Sequence, residues 1–219
     1  KDPNDDKNVI VEIIDVSKHF KEVSVLEHVN LKLESGNIYG FIGPNGSGKT
    51  VLLKMICGFY TPSSGKILIN SKNIVEEKTY PENTGALIEK PTFIPDLTGK
   101  ENLMLLAKIQ NKITEKDVDK IVEIVGLSKY INNKYSTYSL GTKQKLGIAQ
   151  AIMENPDLII LDEPFNGLDD ISAKNIRKYL LEKKKEDKLI IISTHIKDDI
   201  ALLSDKTYLF ENENVILQK

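Results

Sequence analysis

The octet Gly43-Pro-Asn-Gly-Ser-Gly-Lys-Thr50 constrains this chain more than any other segment. It fits the pattern G-x-x-x-x-G-K-[ST], and its context fits as well: the apolar run Asn37 to Ile42 reads as a β-strand entering it, and a helix is predicted to leave it from Thr50. Leu52, Leu53 and Ile56 fall on one helical face, with Gly58 where a glycine cap ends such a helix. A strand, a glycine loop and a helix in direct succession imply an α/β fold. They also imply a loop whose N–H groups turn inward, at a helix N-terminus, toward an anion such as phosphate. Gly43, Pro44, Asn45, Gly46, Ser47, Gly48 and Val51 form the cradle, Lys49 supplies a mobile positive charge for the outer phosphates of a nucleotide, and Thr50 a hydroxyl for Mg²⁺.

The rest of the chain supplies the elements such a fold needs. Val9 to Val16 and Asn30 to Leu33 read as strands, Thr61 to Gly65 as a turn before the strand Lys66 to Asn70, and Gly85 to Ile88 as a short buried strand. The character then changes: Thr98 to Glu101 and Thr114 to Asp117 have the pattern of capping boxes, and Gly126 ends the second helix, so about 91–154 reads as a helical insertion. From Asp157 strands and helices alternate again. Leu158 to Leu161 and Ile190 to Thr194 are apolar on both faces, as in a parallel sheet covered on both sides, with a helix between them over about Asp170 to Lys185. Lys183 to Lys185 reads as a solvated helix end, and the polar residues 1–8 as a frayed terminus or a cloning remnant.

Composition narrows the function. Thirty Lys and Arg against 32 Asp and Glu leave a net charge of −2, which gives no electrostatic ground for nucleic acid as a partner. The single cysteine, Cys57, sits in an apolar stretch and reads as core, and the absence of any cysteine pair fits a reducing compartment. No apolar run approaches the roughly 18 residues of a membrane span, so action at a membrane implies docking.

A second chemical signal is Leu158 to Pro164, LIILDEP, where an apolar strand ends in two acids. Strand ends of an open α/β sheet meet the ligand, so Asp162 is the expected Mg²⁺ partner and Glu163 the expected general base for an attacking water.

With these motifs in place the chain, from Val9 onward, resembles the ABC ATPase family. Tyr138-Ser-Leu-Gly-Thr142 matches the family's signature segment, 23 residues before Asp162, and Ser139 with Gly141 forms a second anion site at a helix N-terminus. Asn166 to Asp169 resembles the family's D-loop, Ser193-Thr-His195 its switch histidine, and Phe20 its adenine-stacking aromatic. The resemblance implies one domain over 9–219, with a mostly parallel core sheet, an N-terminal antiparallel β portion and a helical subdomain at about 91–154. It implies ATP hydrolysis with Mg²⁺ in a head-to-tail homodimer that sandwiches two nucleotides. It gives catalytic roles to Lys49, Glu163 and His195, nucleotide contacts to Phe20, Ser139, Gly141 and Asp169, and none to His19 or His28.

Leu140 and Thr142 replace the second glycine and the glutamine of the signature, and Val51 replaces a common threonine. Glu89 stands where the family's Q-loop glutamine belongs, and is expected near Mg²⁺ as a further nucleotide and metal contact. Ile88-Glu-Lys-Pro91, Phe93 to Leu103 and Tyr138 to Ala149 together resemble subunits that drive bacitracin-resistance and lantibiotic-immunity exporters. This implies a cytoplasmic subunit held at the inner face of the membrane by permease subunits, which Glu89 and Pro91 to Asn102 contact. The alternatives are an ABC ATPase uncoupled from transport and a low-turnover nucleotide sensor. A single cassette without a coiled-coil insertion disfavours the first, and the presence of Glu163 and His195 the second.

Overall fold

A computed structural model describes residues 10–218, so the reading of residues 1–8 lies outside it. Two sheets organise the chain. The first is antiparallel, in the order β2-β1-β4-β5: β1 (Ile10–Phe20), β2 (Val23–Glu34), β4 (Ser64–Ile69) and β5 (Lys72–Asn73). The second has the order β10-β9-β3-β8-β7-β6, with β3 (Asn37–Ile42), β6 (Thr84–Leu87), β7 (Leu158–Asp162), β8 (Leu189–Thr194), β9 (Lys206–Glu211) and β10 (Asn214–Leu217). All its pairings are parallel except β9 with β10.

Alternate side chains of the parallel strands enter two different cores. Ile190 and Ile192 of β8, and Ile159 and Leu161 of β7, join one apolar cluster; Leu189 and Ile191, with Leu158 and Ile160, join the other. A strand apolar on both faces is the only kind that can sit between two cores, and each fully buried Ile or Leu contributes about 1.5–3 kcal/mol. The first core is closed mainly by α2 (Gly99–Gln110), α3 (Glu115–Ile124), α4 (Leu140–Ile152) and α5 (Asp170–Lys185), with Ile200 joining it from a later short helix. The second is closed by α1 (Lys49–Ile56) and the antiparallel sheet. A short α6 (Lys197–Ala201) follows β8.

Between Pro91 and Glu154 the helices are α2, α3, α4 and a 3-10 turn at Tyr135–Thr137, and the chain before Gly99 is irregular. Thr98 and Glu101 make the reciprocal bonds of a capping box, and the Asp117 carboxylate accepts from the Thr114 N–H at 2.9 Å and its hydroxyl at 2.7 Å. At the sheet edge, Gln150 Nε2 of α4 donates to the Ala86 carbonyl at 2.7 Å, so the helix covers a strand that has only one strand neighbour.

The register delivers the site. Ile42 pairs with Thr194, Ser193 with Asp162, and Leu161 with Leu87. The residues that follow these strand ends, Gly43, His195, Glu163 and Glu89, therefore emerge along one carboxyl edge in the spatial order β3, β8, β7, β6.

Candidate functional site: a phosphate loop and two strand-end acids

The loop after β3 leads into α1 through Gly48, whose φ of 98° is closed to residues with a Cβ. Helix α1 has no side-chain N-cap and no acid in its first turn, which leaves its N-terminal N–H groups for a ligand. Lys49 is 5% exposed, and its ammonium donates to the carbonyls of Gly43 at 2.6 Å and Pro44 at 2.9 Å. Burial holds its pKa below the ordinary lysine value, against the opposing pull of Glu163 and Asp162.

Asp162, at the end of β7, is buried and accepts from the Thr50 hydroxyl at 2.8 Å, from the Ser193 hydroxyl, and more weakly from the Glu89 N–H at 3.4 Å. Ser193 escaped the sequence reading as a separate contributor; its signal was a polar residue near the end of an otherwise apolar strand that neighbours β7. Glu163 has a left-handed φ of 50° and Glu89 one of 60°, a conformation that costs a non-glycine residue about 1 kcal/mol or more and gathers at functional sites. Glu163 Oε1 lies 2.8 Å from His195 Nδ1, whereas Oε2 is buried with no hydrogen-bond partner. A carboxylate only accepts, so Nδ1 carries the proton in this pair.

A cavity of about 330 Å³ is lined by Phe20, Val25, Asn45, Gly46, Gly48, Lys49, Thr50, Val51, Asp162 and Glu163. The Phe20 ring meets Tyr60 edge-on at 5.5 Å and stays 40% exposed. One space thus brings together the aromatic, the loop and the acid pair that the sequence set apart; Val25 was not foreseen.

Ser139, Gly141, Asp169 and Glu89 are not among the lining residues. Ser139 caps α4, accepting from the Thr142 N–H at 3.2 Å, and the neighbouring Leu140 is 79% exposed. Gly141 packs so close to the Gly167 carbonyl that a Cβ there would lie 2.5 Å from its oxygen. Asp169 caps α5 and pairs with Lys145 at 2.6 Å; the hydrogen bond from Lys145, then those of Ser172, hold its carboxyl well below the usual range. Gln144 Nε2 donates to the carbonyls of Glu163 at 3.1 Å and Pro164 at 3.2 Å, tying α4 to the main chain of the acid pair. Neither Lys145 nor Gln144 had a readable signal, since both contacts join segments distant in sequence. The Glu89 carboxylate pairs with Lys54 at 2.8 Å.

Among the described residues no group of three or more His, Cys, Asp or Glu is placed to hold a metal. The Thr50 hydroxyl and the Asp162 carboxylate, in mutual contact, suit a small hard cation that takes one or two protein oxygens and fills its shell with phosphate and water.

The family model described as "ABC transporter" matches residues 26–166, which include the loop, Glu89, the α4 cap and both acids. The bacitracin transport ATP-binding protein BcrA of Enterococcus faecalis is 40% identical over 198 residues, 90% of this chain and 64% of that protein, so the chain spans less than two thirds of that relative. The lantibiotic transport ATP-binding protein SrtF of Streptococcus pyogenes is 30% identical over 96% of this chain and 90% of its own length. A solved ATP binding subunit of an ABC transporter superposes with a TM-score of 0.84 at 29% identity, over 94% of this chain and 88% of that one. With its nucleotide loop, strand-end acids and capped α4 helix in the family's order, this chain belongs to the ABC transporter family of ATP-binding proteins.

Proposed function

We propose that this chain binds and hydrolyses ATP with Mg²⁺ as one half of a head-to-tail homodimer and drives permease subunits that export a bacitracin- or lantibiotic-type peptide, from the cytoplasmic face of the membrane. The observation that carries the hydrolytic part is the state of Glu163 beside the Lys49 cavity. One carboxylate oxygen is held by His195, and the other is buried without a partner, ready to accept a proton.

In this reading the Lys49 ammonium exchanges the Gly43 and Pro44 carbonyls for the β- and γ-phosphate oxygens, while the loop N–H groups hold the chain of phosphates. Phe20 offers its exposed face to the adenine. The Thr50 hydroxyl and Asp162 would hold Mg²⁺, with Glu89 as a further oxygen; when bound there, the cation neutralises phosphate charge. Glu163 takes a proton from water as the water oxygen bonds to the γ-phosphorus. The bond to the bridging oxygen breaks, and ADP leaves with the electron pair. His195 keeps Glu163 in place through the 2.8 Å contact and would serve as the switch contact to the γ-phosphate.

Support for the dimer comes from the exposed α4 cap, which lines no part of the cavity in its own chain and so leaves Ser139 and Gly141 to serve a second copy. Support for a permease comes from an apolar hollow of about 590 Å³ bounded by Pro91, Phe93, Ile94, Pro95 and Leu105, adjoining the Glu89 segment. Among the described residues no helix is long and apolar enough to cross a membrane, so in this reading the permease supplies the spans.

The test is Glu163→Gln. The amide cannot accept the proton, so hydrolysis should slow at least ~100-fold, about 2.7 kcal/mol of barrier, while ATP binding persists. The variant should elute as an ATP-bound dimer in size-exclusion chromatography. Full turnover by a monomer would overturn both the base and the dimer.

A further inference from the structure

Thr50 and Lys54 lie one turn apart on the same face of α1. Thr50 reaches the end of β7 through Asp162, and Lys54 reaches the end of the neighbouring β6 through Glu89, at 2.8 Å in each case. The weak bond from the Glu89 N–H to Asp162 closes a ring, Thr50–Asp162–Glu89–Lys54, with α1 as its fourth side. The Lys54 side chain is only 17% exposed, and its ammonium lies 5.0 Å from the centre of the Tyr60 ring, which itself packs on Phe20.

Without Lys54, the Glu89 carboxylate would add an unpaired negative charge near a polyphosphate, beside Asp162 and Glu163, which already face Lys49. One fixed lysine offsets that charge. We propose that Lys54 is a positioning residue that holds the Glu89 carboxylate away from the nucleotide until the metal-bound site forms, so that Glu89 exchanges one cation for another. The inference rests on the ATP-site reading above. It also accounts for how a glutamate can occupy this position without opposing nucleotide entry. The pairing keeps the Lys54 ammonium charged, with its pKa raised chiefly by the Glu89 hydrogen bond.

The test is a double-mutant cycle read by calorimetric ATP binding, in EDTA and again in Mg²⁺. Lys54→Met keeps the packed stem and removes the charge, and thermal melting checks that the variant is folded. In EDTA it should bind ATP about fivefold more weakly than the unaltered chain, from the freed carboxylate. The double variant Lys54→Met, Glu89→Gln should bind within about twofold of Glu89→Gln alone, and Lys54→Arg should bind like the unaltered chain. In Mg²⁺ the Lys54→Met loss should shrink to within about twofold, because the carboxylate then has a cation to face. An equal loss with and without Glu89, or none, overturns the proposal. If Lys49→Ala leaves ATP binding intact, the ATP-site reading itself fails, a result distinct from an additive Lys54 cycle.

Discussion

The two helix ends read from the sequence as anion sites, the N-termini of α1 and α4, are built to opposite standards. Around α1 the polar groups are buried or half-buried and paired within the chain: Lys49 on loop carbonyls, Thr50 and Ser193 on Asp162. Around α4 the cap is exposed, Ser139 bonds only within its own turn, and the large Leu140 faces outward. The first end already gathers its groups beside one cavity, where a ligand would have to replace the Gly43 and Pro44 carbonyls at Lys49. At the second, Ser139 and Gly141 line no part of the cavity beside Lys49, and the first turn of α4 instead borders a hollow of about 690 Å³ through Leu140, Lys143 and Gln144, with Glu89, Asp162 and Glu163 on its other side. In the dimer reading, the difference separates nucleotide affinity from turnover: affinity belongs to the α1 end, and turnover to both.

The strongest way to break this comparison is Lys49→Ala, which removes the loop's only side-chain cation. ATP binding by the isolated chain should fall by more than ~100-fold in calorimetry, and near-normal affinity would remove the α1 end from the site. Ser139→Ala sharpens it from the other side. ATP affinity of the single chain should stay within about twofold, while steady-state hydrolysis falls by about tenfold because the second copy supplies a poorer anion site. A loss of monomer affinity would mean that the α4 end contributes in its own chain. The smallest effect is reserved for Glu89→Gln. Hydrolysis by the purified chain should stay within about threefold, under ~1 kcal/mol, while peptide-antibiotic tolerance of cells carrying the whole transporter falls. If Glu89→Gln abolishes hydrolysis and Glu163→Gln spares it, the roles of base and coupling residue are reversed.

What the sequence disclosed follows from the range of the interactions involved. The loop, both capping patterns and helix α5 were readable because each is specified within a few consecutive residues. Strands β1 and β2 were read too short. Asp15 and His28 adopt φ of 50°, and the register shifts between Ile13 and Val16, so the period-two signal breaks where the pairing continues. Strand β10 was missed because its hairpin turns on Asn212 and Glu213, both at positive φ, with no glycine to announce it. In the candidate site, Gly43 to Thr50, Asp162 and Glu163 could be named from local motifs at two strand ends, whereas His195 was named only through the resemblance to the family. Ser193, Gln144 and Lys54 could not, since each acts through a partner at least 19 positions away in the chain.

The strand order carries a consequence for how the protein comes into being on the ribosome. Strand β3, which holds the nucleotide loop, has β8 and β9 as its two neighbours, and both are made long after it: Asn37 pairs with Leu189, and Tyr39 with Lys206. A nascent chain that has emerged only as far as α5 already contains Lys49, Thr50, Ser139, Asp162 and Glu163, yet β3 still lacks a neighbour on either side. Such late, distant pairing slows folding and leaves apolar strands uncovered in the meantime. Every residue given a part in hydrolysis under the proposed function, except His195, is thus synthesised before the scaffold that aligns them, and the last fifth of the chain, which carries few of those groups, decides when the others come together.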